Sequence, residues 1–265
     1  MKINLIIDKY HNDKAHSIRR ALERRGLAIS ASGYEMTLFV GGDGTFANKS
    51  LEFDDRPVLF LSRNWNKPNG SVSYNAQANI DSKSLSKIVK AITAGDYRIE
   101  KQPVLNAVYS GKKYSSLYDF FVERYATKEA MRYEITVRNG KKSFRTYAIS
   151  NGFIITTPLG STGYYSYPDT LNGMKPKRIE NGKIGLAHIL PVRIKDFCGS
   201  KKAAPEIRRS FSDHAIAHAT IERDVGQIMF GTAGNKGIRI RAEKHIDFYI
   251  NKKNSLKMVL LNFKH

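Results

Sequence analysis

Residues 36–46 read MTLFVGGDGTF: a short apolar run, Met36 to Val40, leads directly into Gly41, Gly42, Asp43, Gly44 and Thr45. The run predicts a buried strand, too short for a helix and ended by glycine. Glycines placed there let the backbone approach phosphate oxygens without side-chain obstruction. Asp43 then stands at the carboxyl end of a strand, where open α/β sheets place their ligands. A carboxylate at that point can accept a proton from a hydroxyl nucleophile, orient it, or help place Mg²⁺. The plainer reading is a tight turn with Asp for local hydrogen bonding. So many special residues directly after an apolar strand favour a phosphate site, with Gly41, Gly42, Gly44 and Thr45 as its contacts and Asp43 as its catalytic group. No Gly-Lys-Ser/Thr follows, so this is not a Walker loop, and the GxGxxG dinucleotide pattern is absent.

The flanks of this stretch set the architecture. Lys2 to Ile7 reads as an apolar strand, and Ala15 to Arg25 as a helix with Ile18, Ala21 and Leu22 on one face and Gly26 as its stop. Pro57 to Leu61 is a further strand. Asp81 or Ser82 caps a helix carrying Leu85, Ile88, Val89 and Ile92 on one face, ended by Gly95. Strands alternating with helices predict a parallel α/β sheet. Beyond Tyr97 the pattern becomes β throughout: Pro103–Tyr109, Ser116–Arg124, Tyr133–Arg138, Ser143–Ser150, Ile184–Val192, Ile216–Ile221, Gln227–Gly231, Ile238–Ala242 and His245–Ile250. Asn139-Gly140 is read as a hairpin turn, because both residues tolerate positive φ. Two architectures predict two domains: residues 1–98 as an α/β domain with the glycine loop, and 99–244 as a β-rich domain. The C-terminal tail, about 245–265, is a candidate to return to the first.

A second chemical segment, residues 151–167, reads NGFIITTPLGSTGYYSY. An apolar strand runs into hydroxyls and glycines, which can bind ribose and phosphate oxygens, while Tyr164 can cover an aromatic ring. Chemistry alone leaves this reading level with a surface Ser/Thr/Gly loop under which Tyr165 and Tyr167 pack.

The whole chain adds bounds. The 44 Lys and Arg against 24 Asp and Glu give a net charge of +20, a balance that attracts polyanions. These cations are scattered along the sequence. They read as a generally basic surface rather than a dedicated nucleic-acid groove, although the charge allows such a partner. No stretch approaches the roughly 20 apolar residues that cross a bilayer, so no membrane partner is expected. MKINLIID reads as a strand rather than a secretory signal, and a cytoplasmic location is expected. The one cysteine, Cys198, excludes an internal disulfide framework and a multi-cysteine zinc site, and is expected as a partly buried thiol. His214 and His218 are four apart, but the residues around them alternate as in a strand, which argues against a metal pair. His188, in a strand, is a candidate to reach a ligand. Trp65, between Arg63 and Lys67, could stack on an adenine or pack on its own domain.

The GGDGT string resembles the motif shared by NAD kinases, diacylglycerol and sphingoid lipid kinases and, more loosely, phosphofructokinases. Residues 151–167 are similar to an NAD kinase signature, in which Asp-Gly precedes a strand and then Thr-Pro-x-Gly-Ser-Thr-Ala-Tyr. The lipid kinases lack it. The family's intervening Asn-Glu pair is matched by Tyr118-Asp119, and Tyr97 to Glu100 resembles its entry into the second domain. The resemblance runs from the first strand to about Arg193, and the last seventy or so residues match only in β character.

That resemblance implies a Rossmann-like α/β domain followed by a C-terminal β-sandwich, with nucleotides bound in a cleft between them. It implies phosphoryl transfer from ATP to the adenosine 2′-hydroxyl of NAD, giving NADP, with Mg²⁺ or another divalent cation carried by the substrate phosphates. Asp43 would accept the proton, and Gly42 and Gly44 would line the phosphates. NAD contacts would come from Asp43, Gly44, Tyr118, Asp119, Asn151, Thr162, Gly163, Tyr164, Tyr167 and Ala187. A homodimer or homotetramer is the family's habit. A GGDGT-type lipid kinase and a non-catalytic nucleotide or nucleic-acid binder on the same fold are the competing readings. Tyr118, Asp119, Asn151 and Gly163 stand where the family has Asn, Glu, Asp and Ala. Tyr167-Pro168-Asp169-Thr170 replaces a Gly-Gly-Pro stretch, and Ser62 to Pro68 lacks the family's Gly-x-Leu-Gly-Phe. These departures fall on the dinucleotide side and leave Asp43 and its glycines untouched.

Overall fold

The computed structural model describes residues 1–9, 15–62, 75–80, 82–125, 129–222, 228–232, 237–241 and 245–262. The expectations for Arg63, Trp65, Lys67 and the segment to Pro68, for Asp81, and for the strand ends at Gln227 and Ala242 lie outside the described residues. The chain divides into two compact units, Met1–Gln102 with Ser255–His265, and Pro103–Asn254.

The first unit begins with β1 (Lys2–Ile7), α1 (Ala15–Glu23), β2 (Ala28–Ile29), β3 (Met36–Val40) and α2 (Asp43–Lys49). It continues with β4 (Val58–Ser62), β5 (Ala78–Asn79) and α3 (Ser82–Ala94). β1 lies between β2 and β3, β3 pairs with β4, and all these pairings are parallel. Every residue of β3 and β4 is buried, as a sheet covered on both faces requires. One face packs Leu38, Leu59 and Leu61 against Leu22 of α1 and Leu85, Ile88 and Ile92 of α3. On the other, Phe46 of α2 stacks on Phe60 at 4.3 Å between centroids and meets Phe39 at 5.3 Å. Burying four such rings removes apolar surface worth roughly 2 kcal/mol each, which fixes α2 against the sheet.

The second architecture starts with β6 (Tyr97–Tyr109), β7 (Lys112–Ser116), β8 (Asp119–Arg124), β9 (Met131–Asn139), β10 (Lys142–Ser150) and β11 (Gly152–Thr156). A short helix α4 (Tyr167–Leu171) precedes β12 (Lys183–Ile189), β13 (Arg193–Cys198), β14 (Lys201–Ala203) and β15 (Arg208–Ser212). β16 (Ile216–Ile221), β17 (Ile228–Thr232), β18 (Ile238–Ile240) and β19 (His245–Leu261) complete the chain. One sheet runs β14-β13-β10-β9-β16-β19 and the other β15-β12-β11-β8-β17-β18. Their inner faces share one core that includes Tyr133, Ile135, Phe120, Phe153, Leu186, Phe230 and Phe248, the arrangement of a β-sandwich. β19 serves both units: His245–Tyr249 pairs with β16, and Met258 lies opposite Val58 of β4.

Several local expectations need correction. The hairpin between β9 and β10 turns on Gly140 and Lys141, because Asn139 still pairs with Lys142; Gly140 alone takes positive φ, at 57°. The run Ser116–Arg124 is two strands broken at Leu117-Tyr118. The strand expected to reach Val192 ends at Ile189, where Leu190 turns to φ 46°. Cys198 is exposed rather than partly buried. Among the described residues no helix is long and apolar enough to cross a membrane.

Candidate functional site

In the first unit, the glycine stretch is a strand-to-helix junction. Gly41 still donates its N–H to Leu61 at 3.1 Å, and Gly42 is the N-cap of α2, whose first bond runs from Phe46 N–H to the Gly42 carbonyl at 2.9 Å. Asp43, Gly44 and Thr45 are therefore helical, which a run of turn-forming residues concealed. Gly41 is required by space: a Cβ would come within 2.8 Å of the Phe39 ring and 3.0 Å of the Asp8 Cβ. Among the described residues, nothing outside their own chain neighbours and helix backbone lies within 4 Å of where a Cβ on Gly42 or Gly44 would stand. Asp8 was not singled out from sequence. It directly follows β1, is 5% exposed, and accepts a 2.5 Å hydrogen bond from the Thr45 hydroxyl. A carboxylate closing an otherwise apolar strand, MKINLIID, was its signal. Thr45 thus spends its hydroxyl on Asp8.

In the second unit, antiparallel register aligns Asp119, Thr156 and Gly185 in one row, and Phe121, Ile154 and Ala187 in the next but one. Residues directly opposite share a face. Phe153, Ile155, Leu186 and Phe120 fill the sandwich core, so Asp119, Thr156, Gly185, Ile154 and Ala187 belong to the other face. The segment 157–171 is held on that face. Tyr118 O accepts from Thr157 N–H at 2.8 Å and Thr156 Oγ1 at 3.2 Å, and Thr157 Oγ1 donates to Leu117 O at 2.7 Å. Gly160 has no alternative there, since a Cβ would sit 2.4 Å from Tyr118 O. The Tyr165 ring covers Gly185, where a Cβ would meet it at 2.5 Å.

Most hydroxyls of this turn are used internally. Ser161 Oγ donates to Pro158 O at 2.7 Å and accepts from Ile179 N–H, and Ser166 Oγ donates to Gly163 O at 2.8 Å. Tyr167 donates its phenol to His188 O at 2.9 Å. The outermost residues are Thr162, whose hydroxyl donates to Leu159 O at 3.4 Å, Gly163, whose N–H and carbonyl are both engaged within the turn, and Tyr164, which is 74% exposed. The structure therefore gathers Tyr118, Asp119, Thr162, Gly163, Tyr164, Tyr167 and Ala187 around one end of β8, β11 and β12. Asn151 lies at the other end of β11, about 16 Å along the strand from Thr156, with its N–H on Ile189 O and its carbonyl accepting from Arg124.

His188 points into the sandwich. Its Nδ1 meets the Tyr133 hydroxyl at 2.7 Å and its Nε2 the Thr146 hydroxyl at 3.3 Å. Burial drives its pKa down to about 4, so it is neutral. It is a packed core histidine rather than a ligand contact. His218 is in a strand, 2.7 Å from Asp247, and among the described residues no three His, Cys, Asp or Glu gather to hold a metal.

Sequence reasoning also missed Asp169. It is 4% exposed and takes a two-pronged ion pair from Arg208, whose Nη1 lies 2.8 Å from Oδ2. The guanidinium holds the Asp169 carboxyl below the usual range, with the Lys177 N–H adding a further bond. Arg208 lies opposite Ala187 in register, and its guanidinium sits 5.5 Å from the Tyr165 ring centre. The pair thus fastens α4, and with it the turn before it, to β15.

Comparisons with known proteins agree with this picture. No family model matches the sequence. The chain is 27% identical over 170 residues to the NAD kinase of Clostridium kluyveri, covering 61% of this chain and 56% of that protein. It is 26% identical over 144 residues to the NAD kinase of Methanothermobacter thermautotrophicus, covering 54% and 47%. The matched part thus spans about half the length of these curated relatives. In structure it resembles an NAD kinase from Archaeoglobus fulgidus solved with ATP, with a TM-score of 0.68 and 16% identity over 99% of this chain and 94% of that one. It also resembles yeast NADH kinase solved with NADH, with a TM-score of 0.70 and 12% identity over 98% and 83%. These likenesses establish the fold.

Proposed function

We propose that this chain, a relative of the NAD kinases, transfers the γ-phosphoryl group of ATP to the adenosine 2′-hydroxyl of NAD. The observation that carries the reading is Asp43, standing as the first residue of α2 at the carboxyl edge of a parallel sheet, with no described residue crowding its neighbours Gly42 and Gly44. A phosphate can approach bare backbone there, and an acid is at hand to take a proton.

In this reaction the 2′-oxygen forms a bond to the γ-phosphorus, the bond from that phosphorus to the β,γ-bridging oxygen breaks, and ADP leaves. The hydroxyl proton passes to the Asp43 carboxylate. Gly42 and Gly44 present backbone to the phosphates, while Asp119, Thr162, Gly163, Tyr164 and Ala187 hold the dinucleotide, with Tyr118 and Tyr167 supporting it; Asn151, at the far end of β11, takes no part in that cluster. Catalysis on this account is mainly positioning. A divalent cation such as magnesium would neutralise charge on the transferring group. The donor set suits a metal carried by the substrate phosphates, since among the described residues no three His, Cys, Asp or Glu gather to hold one.

The test is formation of NADP by purified protein supplied with NAD, ATP and Mg²⁺. NADP that disappears in Asp43→Asn supports the assignment. Diacylglycerol phosphorylation in mixed micelles, or nucleotide binding without turnover, would favour the competing readings instead.

A further inference from the structure

The sheet containing β9, β10, β13 and β14 turns a face outward that sequence order does not reveal. In β9, Tyr133, Ile135 and Val137 are buried, while Arg132 and Arg138 are exposed. Strand pairing then brings scattered cations together. Arg132 and Arg193 flank Ile149, Lys195 lies beside Tyr147, and Phe197 is flanked by Arg145 and Lys202. On these four strands six outward cations face one outward acid, Glu134, which lies 4.0 Å from Arg145. A shallow basin of about 460 Å³ runs over Arg132, Tyr147 and Arg193.

The spacing makes these charges act jointly. Neighbouring strands lie about 4.8 Å apart and alternate residues about 6.6 Å apart, within one Debye length of about 8 Å at physiological salt. Each cation raises the potential at the next, and the backbone holds them in place before any ligand arrives. Between them lie flat groups: Tyr147 is half-buried, and the Arg145 guanidinium sits 5.1 Å from the Phe197 ring centre. We propose that this face binds single-stranded nucleic acid, its cations meeting phosphates while Tyr147 and the Arg145–Phe197 pair stack on bases. Among the described residues of these four strands the outward apolar side chains, Ile149 and Phe197, are half-buried, which leaves little to insert into a lipid surface. Two copies of the face laid together would oppose like charges. The inference is independent of the phosphoryl transfer proposed above.

The experiment is fluorescence anisotropy of a labelled oligo(dT) of about 15 nucleotides, titrated with the full chain across about 50–200 mM salt. Its companions are Arg145→Glu/Arg193→Glu/Lys195→Glu and Tyr147→Ala, each checked by circular dichroism melting. The parent should bind with a steep salt dependence. The triple variant should lose at least tenfold in affinity at about 100 mM salt, with a log–log slope shallower by about 2, from about 0.7 per phosphate contact. Tyr147→Ala should lose several-fold at unchanged slope. If the folded triple variant keeps the parent's affinity and slope, the face is not the site. If Tyr147→Ala has no effect and heparin binds as tightly as the oligonucleotide, the face is a nonspecific polyanion surface and the assignment fails. Parent protein that does not bind, or that pairs through this face by light scattering, also overturns it.

Discussion

Arg208 of β15 grips both carboxylate oxygens of Asp169 at the start of α4, across 39 positions of sequence. The acid is the more deeply buried partner, at 6% side-chain exposure against 26% for the arginine. Breaking the pair should therefore be asymmetric. Arg208→Met strands a buried carboxylate and should cost about 3 kcal/mol, whereas Asp169→Asn leaves a cation that can reach water and should cost less. Chemical denaturation at neutral pH measures both. Because the folded Asp169 pKa is lowered, its contribution is present above about pH 4 and is lost as pH falls through the folded value. Asp169→Asn should remove that acid dependence.

His188 makes a separate pH prediction. Its folded pKa of about 4 lies below the ordinary value of 6.5, so the unfolded chain takes up the proton first as pH falls. Its contribution is complete above about pH 6.5 and declines towards pH 4, by about 3 kcal/mol in all. Unfolding free energies measured across that range should show the decline, and His188→Gln should flatten it.

Gly44 separates stability from activity. It lies inside α2, and no described residue would crowd a methyl group there, so Gly44→Ala should raise stability by roughly 0.5 kcal/mol. If phosphate occupies that space, the same methyl group should raise the KM for ATP or lower kcat at least several-fold. A stabilised variant with parental kinetics would remove Gly44 from the phosphate site.

Gly160 should tolerate no side chain. A Cβ there meets Tyr118 O at 2.4 Å and Thr156 Oγ1 at 2.5 Å, both fixed by the turn's own hydrogen bonds. Gly160→Ala should lower the melting temperature by several degrees, a cost of about 1–3 kcal/mol. It should also weaken NAD binding, read by ligand-induced thermal shift.

Much of the fold was legible because its signals are local. The apolar runs Lys2–Ile7, Met36–Val40 and Ile216–Ile221 became strands with those bounds, and the Leu85-Ile88-Ile92 spacing became the buried face of α3. The start of α2 was hidden because Gly-Gly-Asp-Gly carries the residues of a turn, and the packing of Phe46 on Phe60 overrides that preference. The parity of His188 with Ile184 and Leu186 marks it as inward, and the structure places it in the core. The Asp169–Arg208 pair and the basic face could not be read from sequence. Each depends on which strands become neighbours, and register brings distant residues to within one hydrogen bond or one strand spacing.

The claim on which the function rests is that the Asp43 carboxylate takes the proton of the sugar hydroxyl. The most direct measurement is the rate of NADP formation from NAD and Mg-ATP by the parent protein and by Asp43→Asn, with ATP binding followed in parallel by thermal shift. The account predicts steady turnover by the parent and a fall of about 10²–10⁴-fold in kcat for the variant, with ATP binding and melting temperature nearly unchanged. A folded Asp43→Asn protein that makes NADP at the parental rate, or a parent that binds both nucleotides and makes none, would contradict it.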